Sequence, residues 1–303
     1  MRVGVKARLQ YSLARLTLGL FTAMPRWMAY RAGRVAAQVG YHFARHQRST
    51  ALHNLRMALP ELSDSEHMRI VRDNFSNLGR LLAEFSQFPK LTPDNVSERV
   101  EYEGLDNYLD GLRRGRGVLF LTAHVGAWEL SSFAHGLYGY PMKFLTRPLD
   151  NPLVESLITG MRTLSGNHPI DRNGATREVL KALRNNETIG ILIDQNTIRS
   201  EGVFADFFGI PAATTPALAT FAIRTGAAVV PGFIRWDTER QRHILSFEPR
   251  VELKQTGNPQ DDIVANTLLF NEILERFVRR FPDQWLWIHK RWKTRPEGEP
   301  SLY

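Results

Sequence analysis

Cysteine is absent from the 303 residues. Its absence excludes disulfide frameworks, cysteine-based zinc sites and cysteine nucleophiles, and it suits a reducing compartment. Asp and Glu are absent from the first sixty residues, which hold ten basic ones (Arg2, Lys6, Arg8, Arg15, Arg26, Arg31, Arg34, Arg45, Arg48 and Arg56). The remainder carries 29 basic against 31 acidic residues, so the net charge of +8 originates entirely at the N-terminal end. No clean apolar run matches the roughly 20 residues that span a bilayer. The longest candidate, Leu9 to Met24, is 16 residues and contains Gln10 and Arg15. A Walker loop, a G-x-G-x-x-G turn and a G-x-S-x-G elbow are also missing, which leaves no signal for a nucleotide cofactor or an elbow serine.

In the acid-free segment, Leu9, Leu13, Leu16 and Leu20 share one helical face, while Arg8 and Arg15 lie about 100° from it. Apolar side chains in the acyl boundary with cations among anionic headgroups make an in-plane membrane anchor, and Trp27 and Tyr30 follow closely. A short tilted transmembrane helix is the variant of this reading, and an amphipathic helix packed on the protein's own core is the alternative. Nucleic acid is disfavoured, because the cations are interleaved with apolar residues and no recognisable module accompanies them. Arg15 and the Pro25-Arg26-Trp27 run argue against a cleaved signal peptide; a mitochondrial transit peptide is compositionally allowed, though serine is scarce.

The organisation predicted is a helical basic region over residues 1–90 followed by an α/β domain over 91–303. "SDSEHMRIVRDNFSNLGRLLAEFSQF" opens on cap-type residues, repeats apolar residues at three and four, and stops before Pro89. From about residue 100, runs at 117–123, 142–146, 188–194, 227–236 and 243–249 read as strands. Segments 127–138, 152–164, 175–185, 214–225 and 261–281 read as helices. Strands apolar on both faces with helical crossovers imply a central sheet, mixed but largely parallel, flanked by helices.

Chemistry concentrates in "VLFLTAHVGAWELSSF" (118–133). His124 lies just past the carboxyl end of a central strand, where open α/β sheets put their ligands. Five residues on, Glu129 would point away on an unbroken helix. Gly126 permits a turn, and a helix starting there is expected to bring Glu129 back beside the imidazole. A carboxylate on one ring nitrogen fixes the tautomer and leaves the other nitrogen to take a proton from a hydroxyl. With no cysteine and no serine elbow, that hydroxyl is expected to belong to the substrate.

"AHVGAWEL", "TRPLDNPLVE", "LIDQN" with "GVFADFFGIPAATTPALATFAIRTGAAVVP", and "QWLWIHKRWKTRP" occur in an order and at separations that resemble the late acyltransferases of lipid A biosynthesis. These belong to the lysophospholipid/glycerolipid acyltransferase superfamily. The resemblance covers nearly the whole chain, and four co-occurring blocks are far more specific than H-x4-E. It implies transfer of a fatty acyl group from acyl carrier protein, or a coenzyme A thioester, to a hydroxyl of a phosphorylated membrane glycolipid, without a resident cofactor or metal. It implies a place at the cytoplasmic face of the bacterial inner membrane. His124 matches the family's catalytic histidine and Glu129 its acidic partner. Two departures bear on the acceptor: Thr146 stands where an aromatic residue often precedes the arginine, and Asp206 where a proline is common.

Other residues receive expected roles. Arg147 follows a strand near Asn151 and suits an acceptor phosphate, unless it pairs with Asp150. Arg172 opens a helix after a short strand and is a second anion candidate. Asp194 and Gln195 end the next strand and are expected to position the acceptor sugar or brace the arginines. The Gly126 turn is expected to offer backbone N–H groups to an oxyanion. Phe207, Phe208 and Gly209 form an apolar turn suited to an acyl tract or to core packing. His42 and His46 lack a third ligand and read as surface residues. Trp285, Trp287 and Trp292 with their cations suit a lipid interface or a core strand with a solvated tail. Alternatives to acyl transfer to a lipid A precursor are a lysophospholipid acyltransferase, a lipid or thioester hydrolase, and a non-catalytic membrane-binding protein.

Overall fold

The computed structural model describes residues 4–303; Met1 to Val3, and with them Arg2 of the basic segment, lie outside the described residues. Four helices open the chain: α1 (Val5–Ala23), α2 (Arg26–Phe43), α3 (Arg45–Ala58) and α4 (Asp64–Ser86). Pro25 separates the first two because it has no N–H to continue a helix but suits a helix start. Ser63 and Glu66 close a capping box at the start of α4, each side chain taking the other's backbone N–H. α2 and α4 cross in backbone contact at two glycines: a β-carbon on Gly33 would lie 2.3 Å from the Gly79 carbonyl oxygen.

Strands and helices then alternate. They are β1 (Val100–Glu103), α5 (Leu105–Arg113), β2 (Val118–Thr122), α6 (Trp128–Leu137), β3 (Lys143–Thr146), α7 (Pro152–Arg162), β4 (His168–Asp171), α8 (Thr176–Arg184) and β5 (Thr188–Leu192). β6 (Val203–Phe207), β7 (Ile210–Thr214), α9 (Ala217–Thr225), β8 (Ala228–Asp237), β9 (Arg242–Phe247) and α10 (Pro259–Arg280) complete the set. Seven strands form one sheet in the order β1-β9-β8-β2-β5-β3-β4, parallel throughout except between β8 and β9. The mixed, largely parallel α/β architecture is the expected one. β1 and the separate antiparallel hairpin β6–β7 are additions to it.

One sheet face packs on α3, α4, α8, α9 and α10, the other on α5, α6 and the end of α4. β2 lies at the centre between β5 and β8, so its carboxyl end opens at the middle of the sheet edge. Phe207 and Phe208 are buried against Trp285, Trp287 and Trp292, and Phe208 and Gly209 make the hairpin turn. Trp285, Trp287 and Trp292 are therefore core residues, not a lipid-facing belt, and they belong to no strand longer than a single bridge. The side chain of Asn54 holds this segment by donating to the Trp287 and His289 carbonyls, both at 2.8 Å, and Asn74 reaches the Asp283 carbonyl at 3.0 Å.

A buried ionic cluster fastens the helical region to the sheet. Glu84 of α4 is fully buried and accepts from His243 Nε2 on β9 at 3.0 Å, from Arg99 at 3.0 Å, from Arg26 at 3.4 Å and from the Tyr30 hydroxyl. Burial alone would raise its pKa; the His243 hydrogen bond and the charges around it outweigh burial and hold it at about 2, below the ordinary 4.5. Glu84→Gln strands the cations and is expected to cost about 3 to 5 kcal/mol at neutral pH. Because the folded pKa is depressed, the stabilisation is complete above about 4.5 and is lost as pH falls toward 2. The gap between wild type and variant in urea unfolding should accordingly narrow across that acid range, and a gap independent of pH would contradict the assignment.

Candidate active site

Parallel pairing of β2 with β5 sets the site. The register runs from Val118↔Thr188 to Thr122↔Leu192, so two residues beyond each strand end His124 and Asp194 stand side by side. The His124 backbone N–H donates to Asp194 Oδ2 at 3.0 Å, and its Nδ1 lies 2.8 Å from Oδ1. Trp285 Nε1, brought in by the C-terminal segment, donates to Oδ2 at 2.8 Å. Asp194 is buried, which opposes its ionisation; the charge and hydrogen bonds of His124 and the indole N–H prevail and bring its pKa down to about 2. A carboxylate only accepts, so the imidazole proton sits on Nδ1 and the Nε2 lone pair is left for chemistry. The Gln195 amide nitrogen stands 3.2 Å from Nε2, where a substrate hydroxyl would bind, and the Trp128 ring meets the imidazole edge to face at 5.1 Å.

The expected hydrogen bond between His124 and Glu129 is not formed. Glu129, in the first turn of α6, is instead held by Arg162 at the end of α7 through two bonds, 2.9 Å to Nε and 2.5 Å to Nη2. Burial works against the Arg162 charge, but the Glu129 carboxylate more than compensates and raises its pKa. The bent loop does fold Glu129 toward the histidine, for both line one cavity, but the imidazole nitrogen that seeks a carboxylate is already taken by Asp194. Asp194 was an expected site residue in a different role, and Arg162 was missed. A lone cation ending an amphipathic helix carries no signal of its own.

Gly126 makes the turn as expected, at φ +52°, and a β-carbon there would lie 2.4 Å from the Ile234 carbonyl oxygen. Its N–H, however, donates to the Gln284 carbonyl at 2.8 Å and is not free for an oxyanion.

The cavity measures about 920 Å³. Its mouth includes His124, Glu129, Arg162, Gln195 and the exposed Arg147 and Arg172; its interior is lined by Phe120, Met142, Phe144, Leu245 and Phe247. Phe207, Phe208 and Gly209 are not among the lining residues, so the apolar tract is built from the sheet and not from the hairpin. Arg147 stands 3.7 Å from Asp150, a solvent-exposed pair that holds it only weakly. Asn151 is committed elsewhere: it caps α7 through the Leu153 N–H at 3.1 Å and donates to the Ala7 carbonyl at 2.9 Å and to Gln10 at 3.0 Å on α1.

These features can deprotonate a hydroxyl beside an apolar channel, which is the chemistry of acyl transfer or hydrolysis. Comparison with known proteins narrows it. The family model described as bacterial lipid A biosynthesis acyltransferase matches residues 6–294. The chain is 32% identical over 262 residues to the lipid A biosynthesis palmitoleoyltransferase of Escherichia coli (strain K12), covering 86% of this chain and 83% of the relative. The lipid A biosynthesis lauroyltransferase of the same organism is 28% identical over 298 residues, 97% of this chain and 95% of the relative. The myristoyltransferase of that strain is 28% identical over 273 residues, 90% of this chain and 82% of the relative. With a strand-end histidine, a lipid-sized cavity and a match running through both halves of the chain, the protein belongs to the bacterial lipid A biosynthesis acyltransferases and is an acyltransferase.

Proposed function

We propose that the protein transfers a fatty acyl chain from acyl carrier protein to a hydroxyl of a phosphorylated glycolipid of the lipid A precursor type, at the cytoplasmic face of the inner membrane. The observation that carries this reading is the Nε2 lone pair of His124, fixed by Asp194 and directed to Gln195 at the mouth of a cavity with an apolar interior. The acceptor hydroxyl displaces the Gln195 amide and gives its proton to Nε2. The freed oxygen attacks the thioester carbonyl, the carbon–sulfur bond breaks, and the departing sulfur recovers the proton from the imidazolium. Asp194 stabilises that imidazolium, the role the sequence reading gave to Glu129. With the Gly126 N–H engaged, the Gln195 side-chain amide is the donor we assign to the developing oxyanion. Glu129, held in place by Arg162, faces the bound acceptor from the cavity wall, while Arg147 and Arg172 receive acceptor phosphates.

Membrane attachment follows from α1. Leu9, Leu13, Leu16 and Leu20 are each more than half exposed and face away from the protein, and Trp27, Val35 and Val39 on α2 extend the apolar surface. Among the described residues no helix is long and apolar enough to cross a membrane. We therefore infer an in-plane anchor whose cations bind anionic headgroups.

Three outcomes test this reading. Thiol release from an acyl thioester should depend on added glycolipid, and His124→Ala should lower that rate by about 10²- to 10⁴-fold; release at full rate without acceptor would make the protein a hydrolase. Asp194→Asn, which admits the wrong tautomer, should reduce kcat by about 10⁴-fold with little change in donor KM, and a variant with wild-type kcat would remove Asp194 from the mechanism. In vesicle sedimentation, binding should require anionic lipid and be lost in Leu13→Glu/Leu16→Glu; undiminished binding by that variant would rule out α1 as the anchor.

A further inference from the structure

Three strands present a small-residue trough under α6. The register aligns Phe120 with Gly190 on β5 and with Val230 on β8, and continues Thr122 level with Leu192 and Gly232. Alternation of side chains puts Thr122, Phe120, Gly190 and Gly232 on the same face as His124. Gly190 and Gly232 both line the cavity, so the channel descends from the imidazole along β2.

The channel has an end. Phe120, Phe247, Leu245 and His135 line it, but the next row of the same face, Val118, Thr188 and Ala228, does not. That row is closed by the Tyr108 hydroxyl hydrogen-bonded to Thr188 at 2.9 Å, both groups buried, and the Phe120 and Phe247 rings stack at 5.3 Å above it. From His124 to Phe120 is four residues of strand, about 13 Å. A zig-zag of carbon–carbon bonds of ~1.5 Å advances roughly 1.3 Å per carbon, so the channel holds about ten to twelve carbons beside the reacting carbonyl. The floor also bears a polar atom, His135 Nε2, which is buried without a hydrogen-bond partner while Nδ1 meets the Tyr102 hydroxyl at 2.6 Å.

We propose that Gly232, with Phe247 opposite it on β9 and Phe120 below it, sets the length of the transferred chain at about ten to twelve carbons. The inference rests on the acyl-transfer reading above and deepens it. Gly232 is the gauge residue because the sheet tolerates a side chain there. A β-carbon would meet the Phe247 ring at 3.4 Å and Phe120 at 3.7 Å, ordinary contacts, and only branches beyond it would enter the channel. Valine is favoured in strands, so Gly232→Val keeps the fold while shortening the space. At Gly190 the same addition would come within 2.7 Å of the Met142 methyl, a less clean test.

The experiment offers the full-length enzyme and a glycolipid acceptor an equimolar series of acyl thioesters from six to sixteen carbons, with products read by mass spectrometry. Wild type should favour ten to twelve carbons. Gly232 is level with Thr122, about half-way down the channel, so Gly232→Val should lower the ratio of the twelve- to the six-carbon product at least about tenfold while six-carbon transfer continues, on the scale of a misfitted methylene. Phe247→Leu, which thins the floor, should move the maximum to longer chains. Transfer by both variants with the wild-type profile, or a uniform loss at every length, would overturn the gauge. Failure of wild type to acylate the glycolipid with any donor would instead overturn the acyl-transfer reading.

Discussion

One buried carboxylate organises the candidate site. Asp194 takes three hydrogen bonds, from the His124 ring, the His124 backbone and the Trp285 indole, and each donor comes from a different kind of constraint. The backbone bond fixes where the β2 loop departs from the sheet. The ring bond fixes which imidazole nitrogen is basic. The indole bond ties the carboxylate to the C-terminal segment, which is itself hung on Asn54 and Asn74 of the helical region. An ion this deep is tolerated only because all three donors are present, and so the helical region, the central sheet and the C-terminal segment must all be assembled before the imidazole is oriented.

The same logic explains why the helical start is not a loose appendage. Ala51, Leu55, Ile70, Val71 and Phe75 share one apolar cluster with Leu119 and Leu121 of β2, and Glu84 is satisfied from both sides of the junction. Burial supplies the cohesion and the ionic cluster supplies the registration. The general-base role proposed for His124 needs the second as much as the first, since an error of one ångström at the imidazole is costly for proton transfer.

Much of this was legible from residues alone, and the pattern of success is physical. The helices and the five strands read from apolar runs were found to within a few residues, because strands buried on both faces and helices with an apolar stripe write their periods plainly. β1, half-polar at the sheet edge, and the short β6–β7 hairpin lack that contrast. At the site, His124 and the Gly126 turn were visible because each is a local event. The carboxylate partner was not, because Asp194 becomes a neighbour only through the pairing of β2 with β5, and strand order is a property of the whole sheet. Glu129 lies near in sequence, but Arg162 competes for it. The engagement of the Gly126 N–H by Gln284 and the burial of Phe207 and Phe208 under three tryptophans are likewise long-range facts.

α7 has a feature at each end. Asn151 begins it and clasps α1, and Arg162 ends it and clasps Glu129. The eleven residues from Pro152 to Arg162 form a strut of about 16 Å. A rigid rod of that size moves as a unit, so any displacement of α1, the anchor proposed above, is carried undamped by any flexible linker to the cavity wall beside His124.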